Sequence, residues 1–190
     1  MTNHNVLLSN GWILEKIRDH SFLIDFECGD EELNDYFRYR SQLHCKELIS
    51  QTYGFHKEGT PVNDSIAIMD ICNDSVKVKE LPEIVKSKIQ EEKNYPFYPA
   101  VKVTRLGVMK ELQGQGIGTM ILDSLKRLLL RDNRTGCRFI TIDAYNTPKT
   151  LDFYIKHNDF EELDIHCDRT KRRTIPLVFD LLRLKDIKIQ

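Results

Sequence analysis

The sequence predicts a mixed α/β fold, in which a mostly antiparallel central sheet of six to seven strands is flanked by about four helices. Three observations favour it. The chain has 190 residues, the size of one domain, so we treat residues 1–190 as a single domain. Apolar residues make up 41% and charged residues 30%, as in a globular protein with a core. The candidate elements run strand, helix, hairpin, helix, strand, helix, strand, helix, strand, strand, which is not a simple βα alternation.

The first half of the chain contains a strand, a helix and a hairpin. Trp12 to Ile17 is the first strand candidate. Asp30 can cap a helix that runs to about Ile49, because a carboxylate there accepts from free amides of the first turn. Thr52 to Phe55 is rich in strand formers, and Ser65 to Ile71 alternates in polarity. Turn residues separate these two stretches, so they are predicted to pair as a hairpin.

The second half predicts two more helices, a strong central strand and a closing pair. Leu81 to Glu92 has apolar residues spaced by four, which indicates a helix. Ala100 to Val108 is a strand containing Gly107, and a glycine there suggests a bulge or a close approach of another backbone or of a ligand. The remaining elements are a helix from the glycine-rich turn to about Arg131, a strand at 139–145, a short helix from Pro148 to about His157, and an antiparallel pair at 160–165 and 175–182.

Composition excludes several functional classes. Lys plus Arg is 28 and Asp plus Glu is 29, so the net charge of -1 argues against binding nucleic acid by bulk charge, although a local basic patch remains open. The five cysteines form no C-x-x-C pair and the six histidines show no metal spacing, so neither a disulfide framework nor a metal site is expected. No leader and no membrane-length apolar run is visible, which predicts a cytoplasmic protein without membrane contact.

The segment with the clearest chemistry is the turn from Gln113 to Gly118, between the central strand and a helix. Glycines at 114, 116 and 118 let the backbone approach a ligand, and the unpaired amides of the helix start favour a phosphate or pyrophosphate. A P-loop is excluded because Thr119 and Met120 follow Gly118 where Lys-Ser/Thr is needed. The dinucleotide fingerprint is excluded because its glycine spacing differs.

The turn matches the acetyl-CoA-binding signature Arg/Gln-x-x-Gly-x-Gly/Ala, and here the chain resembles the GCN5-related N-acetyltransferase (GNAT) superfamily, in a bacterial branch. Three neighbouring stretches are also similar to elements of the family. They are the strand that ends in Arg-Leu-Gly-Val108, the strand Thr141 to Asn146, and the helix that contains Phe153 and Tyr154. The resemblance is clear over residues 100–160. It departs from the family pattern at Asp159, where glycine is usual, and in one extra residue between Tyr154 and Phe160.

The resemblance implies the GNAT fold, with a sheet splayed at the CoA site, and acetyl-CoA as cosubstrate. The amides of the turn would accept the pyrophosphate, and the side chain of Gln113 would add a neutral donor. The amide of Val108 would bond the thioester carbonyl. The cofactor-binding residues implied are Leu106, Val108, Gln113, Gly114, Gln115, Gly116, Ile117, Gly118, Thr119 and Asn146. Asn146 could equally cap the helix that follows it, as an alternative to contacting CoA.

Two residues are candidates for catalysis. Tyr154 is the implied general acid, because a phenol can protonate the departing thiolate, and the alternative is an aromatic packed beside Phe153. Asp143 is a candidate base for the amine, and a structural carboxylate is the equal alternative. Glu27, Asp30 and Glu31 are weaker candidates, since the substrate site of the family often involves that region.

The predicted function is transfer of an acetyl group to a primary amine of unknown identity, by direct attack and without an acyl-enzyme. Two alternatives stay open. One is a tRNA-directed toxin that acetylates aminoacyl-tRNA, for which Lys102, Arg105 and the basic run at 169–173 could supply phosphate contacts. The run is otherwise an ordinary solvated hairpin tip. The other is a CoA-binding module without catalysis. A homodimer is also left open.

Overall fold

The computed structural model describes residues 6–7, 11–89, 95–131, 133, 136–163 and 168–185. The chain divides into two compact units, one of residues 1–72 with 104–131 and one of residues 73–103 with 132–190. A single domain stays a prediction.

The strands of the first unit pair in antiparallel order. Strand β1 (Val6–Leu7) pairs with β2 (Trp12–Lys16), β2 with β3 (Gln51–Lys57), and β3 with β4 (Ala67–Lys77), whose residues up to 72 belong to this unit. The first strand and the hairpin are therefore as the alternation predicted. Strand β1 was not predicted, because two residues are too few to show a period.

A helical stretch follows β2 and carries the core of this unit. It consists of α1 (Glu31–Asp35), a π-helical turn (Tyr36–Arg40) and α2 (Ser41–Lys46). The predicted cap is confirmed, since an Asp30 carboxylate oxygen accepts from the Leu33 amide at 3.2 Å. The stretch buries Tyr36 and Phe37 against apolar side chains that include Ile17, Leu23, Phe26 and Ile68.

The first unit also contains the end of β5 (Phe97–Val108) and α4 (Ile117–Arg131). Helix α4 buries one apolar stripe and ends where the sequence predicted. The buried apolar residues of the stripe are Ile117, Ile121, Leu122 and Leu125.

In the second unit, β5 pairs in parallel with β6 (Phe139–Tyr145), and β6 pairs in antiparallel order with β8 (Thr174–Asp180). Strand β7 (Glu161–Glu162) pairs with the other edge of β8. All pairs with an assigned register except β5–β6 are antiparallel, so the predicted mixed, mostly antiparallel sheet is confirmed.

The helices of the second unit are short. They are α3 (Glu83–Lys86), α5 (Pro148–Leu151) with a π-helical turn (Asp152–Lys156), and α6 (Leu182–Lys185). The sequence predicted one helix over 81–92, but α3 begins only after Pro82, which has an extended backbone. Residues 90–92 of that prediction lie outside the described chain.

The pairing of β5 with β6 ends before either strand does. The register runs from Ala100 opposite Phe139 to Val103 opposite Ile142, whereas β5 continues to Val108 and β6 to Tyr145. These four pairs lie within the second unit, and a sheet splayed at the CoA site stays a prediction.

Candidate active site

The turn before α4 is built on two glycines with left-handed backbone. Gly114 has φ +79° and Gly116 has φ +81°, a region that side-chain-bearing residues enter at a cost of roughly 1–2 kcal/mol. A Cβ placed on either glycine would meet no heavy atom within 4 Å. Space alone therefore does not require glycine here, and the backbone faces an open volume in which a ligand could lie.

The amides of this turn are the natural donors for an anion. The amide of Met120 donates to the carbonyl of Gly116 at 3.1 Å, where the hydrogen-bond ladder of α4 begins. The first amides of a helix have no carbonyl partner within it, and the helix dipole adds partial positive charge there. The predicted residues from Gly114 to Thr119 thus lie where a pyrophosphate could accept several hydrogen bonds.

The side chain of Gln113 braces the turn. Its Nε2 donates to the carbonyl of Cys28 at 2.6 Å and to the carbonyl of Val108 at 3.1 Å. Both N–H groups are therefore used, which differs from the expected neutral donor for the pyrophosphate. The sequence could not predict this, because Cys28 is 85 residues away along the chain.

Gly107 is required by close packing. A Cβ there would lie 3.1 Å from the rings of both Phe26 and Phe37. The close neighbours of this glycine are side chains, not the backbone or ligand that the sequence analysis predicted as the alternative to a bulge. The same packing fixes the strand end that carries Leu106 and Val108, both partly exposed.

Tyr154, in the second unit, lies in the π-helical turn with a buried side chain. Its ring meets Phe153 and Phe160 edge-on, with ring centroids 4.8 and 5.7 Å away. Burial raises the pKa of the phenol above its ordinary value, so the hydroxyl stays protonated at neutral pH. No residue of the described chain hydrogen-bonds this hydroxyl. The group is thus both packed and chemically able to act as an acid.

The extra residue before Phe160 has a structural explanation. A π-helical turn holds one more residue than an α-helical turn, and Asp152–Lys156 forms such a turn. Asp159, at the position where the resembled family has glycine, adopts φ +59°. The amide of Phe160 then donates to the carbonyl of Tyr154 at 3.0 Å and closes the helix end.

Asp143 makes an ion pair with Lys102 on the neighbouring strand, at 2.5 Å between Oδ2 and Nζ. Its side chain is 47% exposed. The ammonium of Lys102 thus occupies one carboxylate oxygen of Asp143. The position therefore favours the structural alternative, and the role of Asp143 stays a prediction.

Asn146 is not the helix cap. The cap of α5 is Thr147, whose hydroxyl oxygen accepts from the Thr150 amide at 3.3 Å. The side chain of Asn146 instead donates to the carbonyls of Arg169 and Arg172, each at 3.0 Å. Both of its N–H groups hold the basic run, and only its side-chain oxygen remains for CoA.

The three acidic candidates near α1 are engaged in local structure. Glu27 accepts from the Gly29 amide at 2.6 Å and from Asn34 Nδ2 at 2.8 Å, and these bonds, led by that from Asn34, lower the pKa of its carboxyl. Asp30 caps α1, and Glu31 lies 3.8 Å from Arg38. Their arrangement supports a structural role.

The sequence analysis missed a buried polar cluster centred on Asp70. The carboxylate is fully buried and accepts from the hydroxyls of Thr52, Tyr36 and Thr104 at 2.8, 2.9 and 2.8 Å. The guanidinium of Arg105 lies 3.5 Å from the centre of the Tyr36 ring. The available signal was the carboxylate of Asp70 inside the apolar stretch Ala67 to Cys72 of β4, since buried charges are kept only where partners satisfy them.

Within the part of the chain that the structure describes, no helix is long and apolar enough to span a membrane. The same residues contain no group of three or more His, Cys, Asp or Glu side chains able to hold a metal ion.

The chain is similar to several bacterial toxins. A tRNA-acetylating toxin of Mycobacterium tuberculosis is 25% identical over 147 residues, which cover 77% of this chain and 82% of that protein. The structure of AtaT complexed with acetyl-methionyl-tRNAfMet matches with a TM-score of 0.75 and 21% identity, over 93% of this chain and 98% of that one. AtaTR bound with acetyl-CoA matches with a TM-score of 0.70 and 23% identity, over 94% and 98%. No family model matches the chain.

Proposed function

Since this chain has the fold of the GNAT superfamily, as the sequence resemblance predicted, we propose that it transfers the acetyl group of acetyl-CoA to the amino group of an aminoacyl-tRNA. The general activity in this proposal, that of an N-acetyltransferase that uses acetyl-CoA, is confirmed by the relatives of the chain. The acceptor is the proposed part.

The observation that carries the proposal is the open turn at the start of α4. Gly114 and Gly116 adopt left-handed backbone, and a Cβ at either would meet nothing within 4 Å. This geometry fits a pyrophosphate on the amides of residues 114–119. Gln113 acts indirectly, because its amide ties the turn to Val108 and Cys28.

The acceptor is proposed from the relatives. The curated relative is a tRNA-acetylating toxin, and AtaT has been solved with acetyl-methionyl-tRNAfMet. These findings favour the tRNA alternative over an unspecified primary amine. By the same reasoning we propose a toxin that pairs with an antitoxin, since AtaT has been solved bound to the C-terminus of the antitoxin AtaR. A cytoplasmic location accords with such an acceptor, and a homodimer stays a prediction.

Acetyl-CoA supplies an activated thioester, and the chain supplies position and proton transfer. The turn holds the cosubstrate, while the backbone amide of Val108 donates to the acetyl carbonyl oxygen. The aminoacyl nitrogen attacks the acetyl carbon, loses a proton to water or to Asp143, and the carbon–sulfur bond breaks. Tyr154 gives its phenolic proton to the sulfur. Burial raises the pKa of this phenol, so it carries its proton throughout the neutral range.

Radiolabelled acetyl-CoA tests this directly. The protein is incubated with charged tRNAs, with the same tRNAs after deacylation, and with a set of peptides and polyamines. Label is expected on charged tRNA only, and mild alkali should release it as an N-acetyl amino acid. Label on peptides or polyamines instead would overturn the tRNA proposal. Acetyl-CoA binding without transfer to any acceptor would indicate the non-catalytic module.

A further inference from the structure

The basic run at the tip before β8 is a folded loop. Residues Arg169–Lys171 form one 3₁₀ turn. Asp168 stabilises it, because its Oδ1 accepts from the Thr170 amide at 3.0 Å and from the Thr170 hydroxyl at 2.6 Å. A solvated hairpin tip needs no such internal bonding.

Asn146, at the end of β6, anchors this loop. Its side-chain Nδ2 donates to the carbonyls of Arg169 and Arg172, each at 3.0 Å, and its backbone amide donates to the carbonyl of Arg173 at 2.9 Å. One residue therefore satisfies three carbonyls of the run. The backbone of the loop is fixed before any ligand arrives, which lowers the entropy cost of binding.

The cations of the loop divide into two kinds. Arg169 pairs with Glu162 at 2.9 Å, and Arg173 lies over the ring of Tyr145 at 5.5 Å. The side chain of Lys171 is 83% exposed and lies no closer than 3.7 Å to the Asp168 carboxylate. Arg172 has no carboxylate partner in the described chain. Among the residues that the structure describes, Lys171 thus has one long ion pair, with Asp168, and Arg172 has no carboxylate partner.

We propose that Lys171 and Arg172 form a phosphate contact for the RNA backbone, on a loop that Asn146 holds in place. The inference rests on the proposed function and names the part of the chain that holds its RNA. Phosphate contacts fix the position of a nucleic acid without reading its sequence. The net charge of -1 is compatible, because the contact depends on two local cations.

The first experiment removes the two charges. The variant Lys171→Gln/Arg172→Gln is compared with wild type for tRNA affinity, by filter binding across a salt series, and for the KM of charged tRNA. We expect affinity to fall at least about tenfold at low salt, and the slope of log K against log salt to flatten by about 1.8, since each neutralised phosphate contributes about 0.9.

The matched control is Lys79→Gln/Lys88→Gln. Both lysines are exposed and lie near α3, and the variant changes net charge by the same amount. Its slope and KM should equal those of wild type. An equal loss in this control would show a bulk charge effect and overturn the assignment to the loop.

The second experiment tests the anchoring role of Asn146. Asn146→Ala should raise the KM for charged tRNA, and combining it with the double variant should add little, because all three residues act through one contact. A full additional loss in the triple variant would show that Asn146 does not act through the loop. The acetyl-CoA affinity of each variant, measured by calorimetry, separates a CoA contact of Asn146 from loop anchoring.

The two proposals fail differently. If wild type acetylates charged tRNA and the loop variant keeps its KM and salt slope, the inference is wrong and the function stands. If wild type binds tRNA through the loop but transfers no acetyl group, the function is wrong and the inference stands. If wild type binds no tRNA, both are overturned.

Discussion

At the scale of single residues, Tyr154 combines a packed ring with a hydroxyl that can serve as an acid. Its ring packs between Phe153 and Phe160, and burial raises the pKa of its phenol. A raised pKa keeps the acid form present as pH rises through the neutral range. Packing and acid catalysis are therefore compatible in this residue.

Tyr154→Phe is expected to lower kcat about 10²-fold or more, because only the hydroxyl donates a proton while the ring still packs. Acetyl-CoA affinity should change little. Steady-state kinetics from about pH 6 to about pH 9 tests this, and wild-type activity should not decline there through this group. Tyr39→Phe, which removes an exposed hydroxyl, is the control. If Tyr154→Phe keeps the wild-type kcat, the side chain of Tyr154 serves only for packing.

Gly116→Glu is expected to abolish acetyl-CoA binding, because a carboxylate would lie where the pyrophosphate accepts hydrogen bonds. Gly59→Glu is the matched control, since Gly59 has φ +84° and equally open surroundings. Both variants carry the same charge and a similar backbone strain. Calorimetric titration should show no binding for the first and wild-type binding for the second. Equal affinities would remove the turn from the cofactor site.

At the scale of elements, the periodic segments were predictable and the contacts between them were not. Helix α4 was found from its own periodicity, because it is long and buries one apolar stripe. The glycine turn was found because its chemistry is local. The bracing of that turn by Gln113 joins it to a residue far along the chain, and no local pattern encodes such a contact. The anchoring of the basic run by Asn146 was not predicted for the same reason.

Gly107→Ala is expected to destabilise the protein by about 1–3 kcal/mol, because its methyl group would overlap two buried rings. Phe26 and Phe37 touch each other edge-on at 5.5 Å between centroids, and both rings would have to shift by a few tenths of an ångström to admit the methyl group. Urea unfolding measures the change. The double variant Gly107→Ala/Phe26→Leu should recover part of the loss, whereas strictly additive losses would show that the cost arises elsewhere.

At the scale of the whole molecule, composition excluded more than it identified. The balanced charge did exclude binding by bulk charge, yet two local cations suffice for the proposed RNA contact. Composition did not point to tRNA; the sequence left a tRNA-directed toxin as an alternative, and the relatives favour it over an unspecified amine. Acceptor identity depends on side chains gathered from distant segments, which a single sequence does not reveal.

Acetyl-CoA is expected to stabilise the folded chain, since a ligand that binds only the native state shifts unfolding by mass action. At about 100 times its dissociation constant the gain is about 2.7 kcal/mol. For a chain of this size that raises the melting temperature by roughly 5–10 °C. Thermal denaturation measures it, with Gly116→Glu as a variant that should show no shift. A wild-type melting temperature that does not rise when acetyl-CoA is added would contradict the proposal.

The π-helical turn at Asp152–Lys156 has a consequence for comparisons between relatives. Each residue of a helix rotates the next by about 100°, so one extra residue changes the phase of everything after it. An alignment gap placed after Tyr154 leaves the phenol in register with the acid position of other members. A gap placed one step earlier assigns that position to Ile155, which has no proton to give. In this stretch the length of the chain, as much as its residue types, decides which residue is counted as the acid.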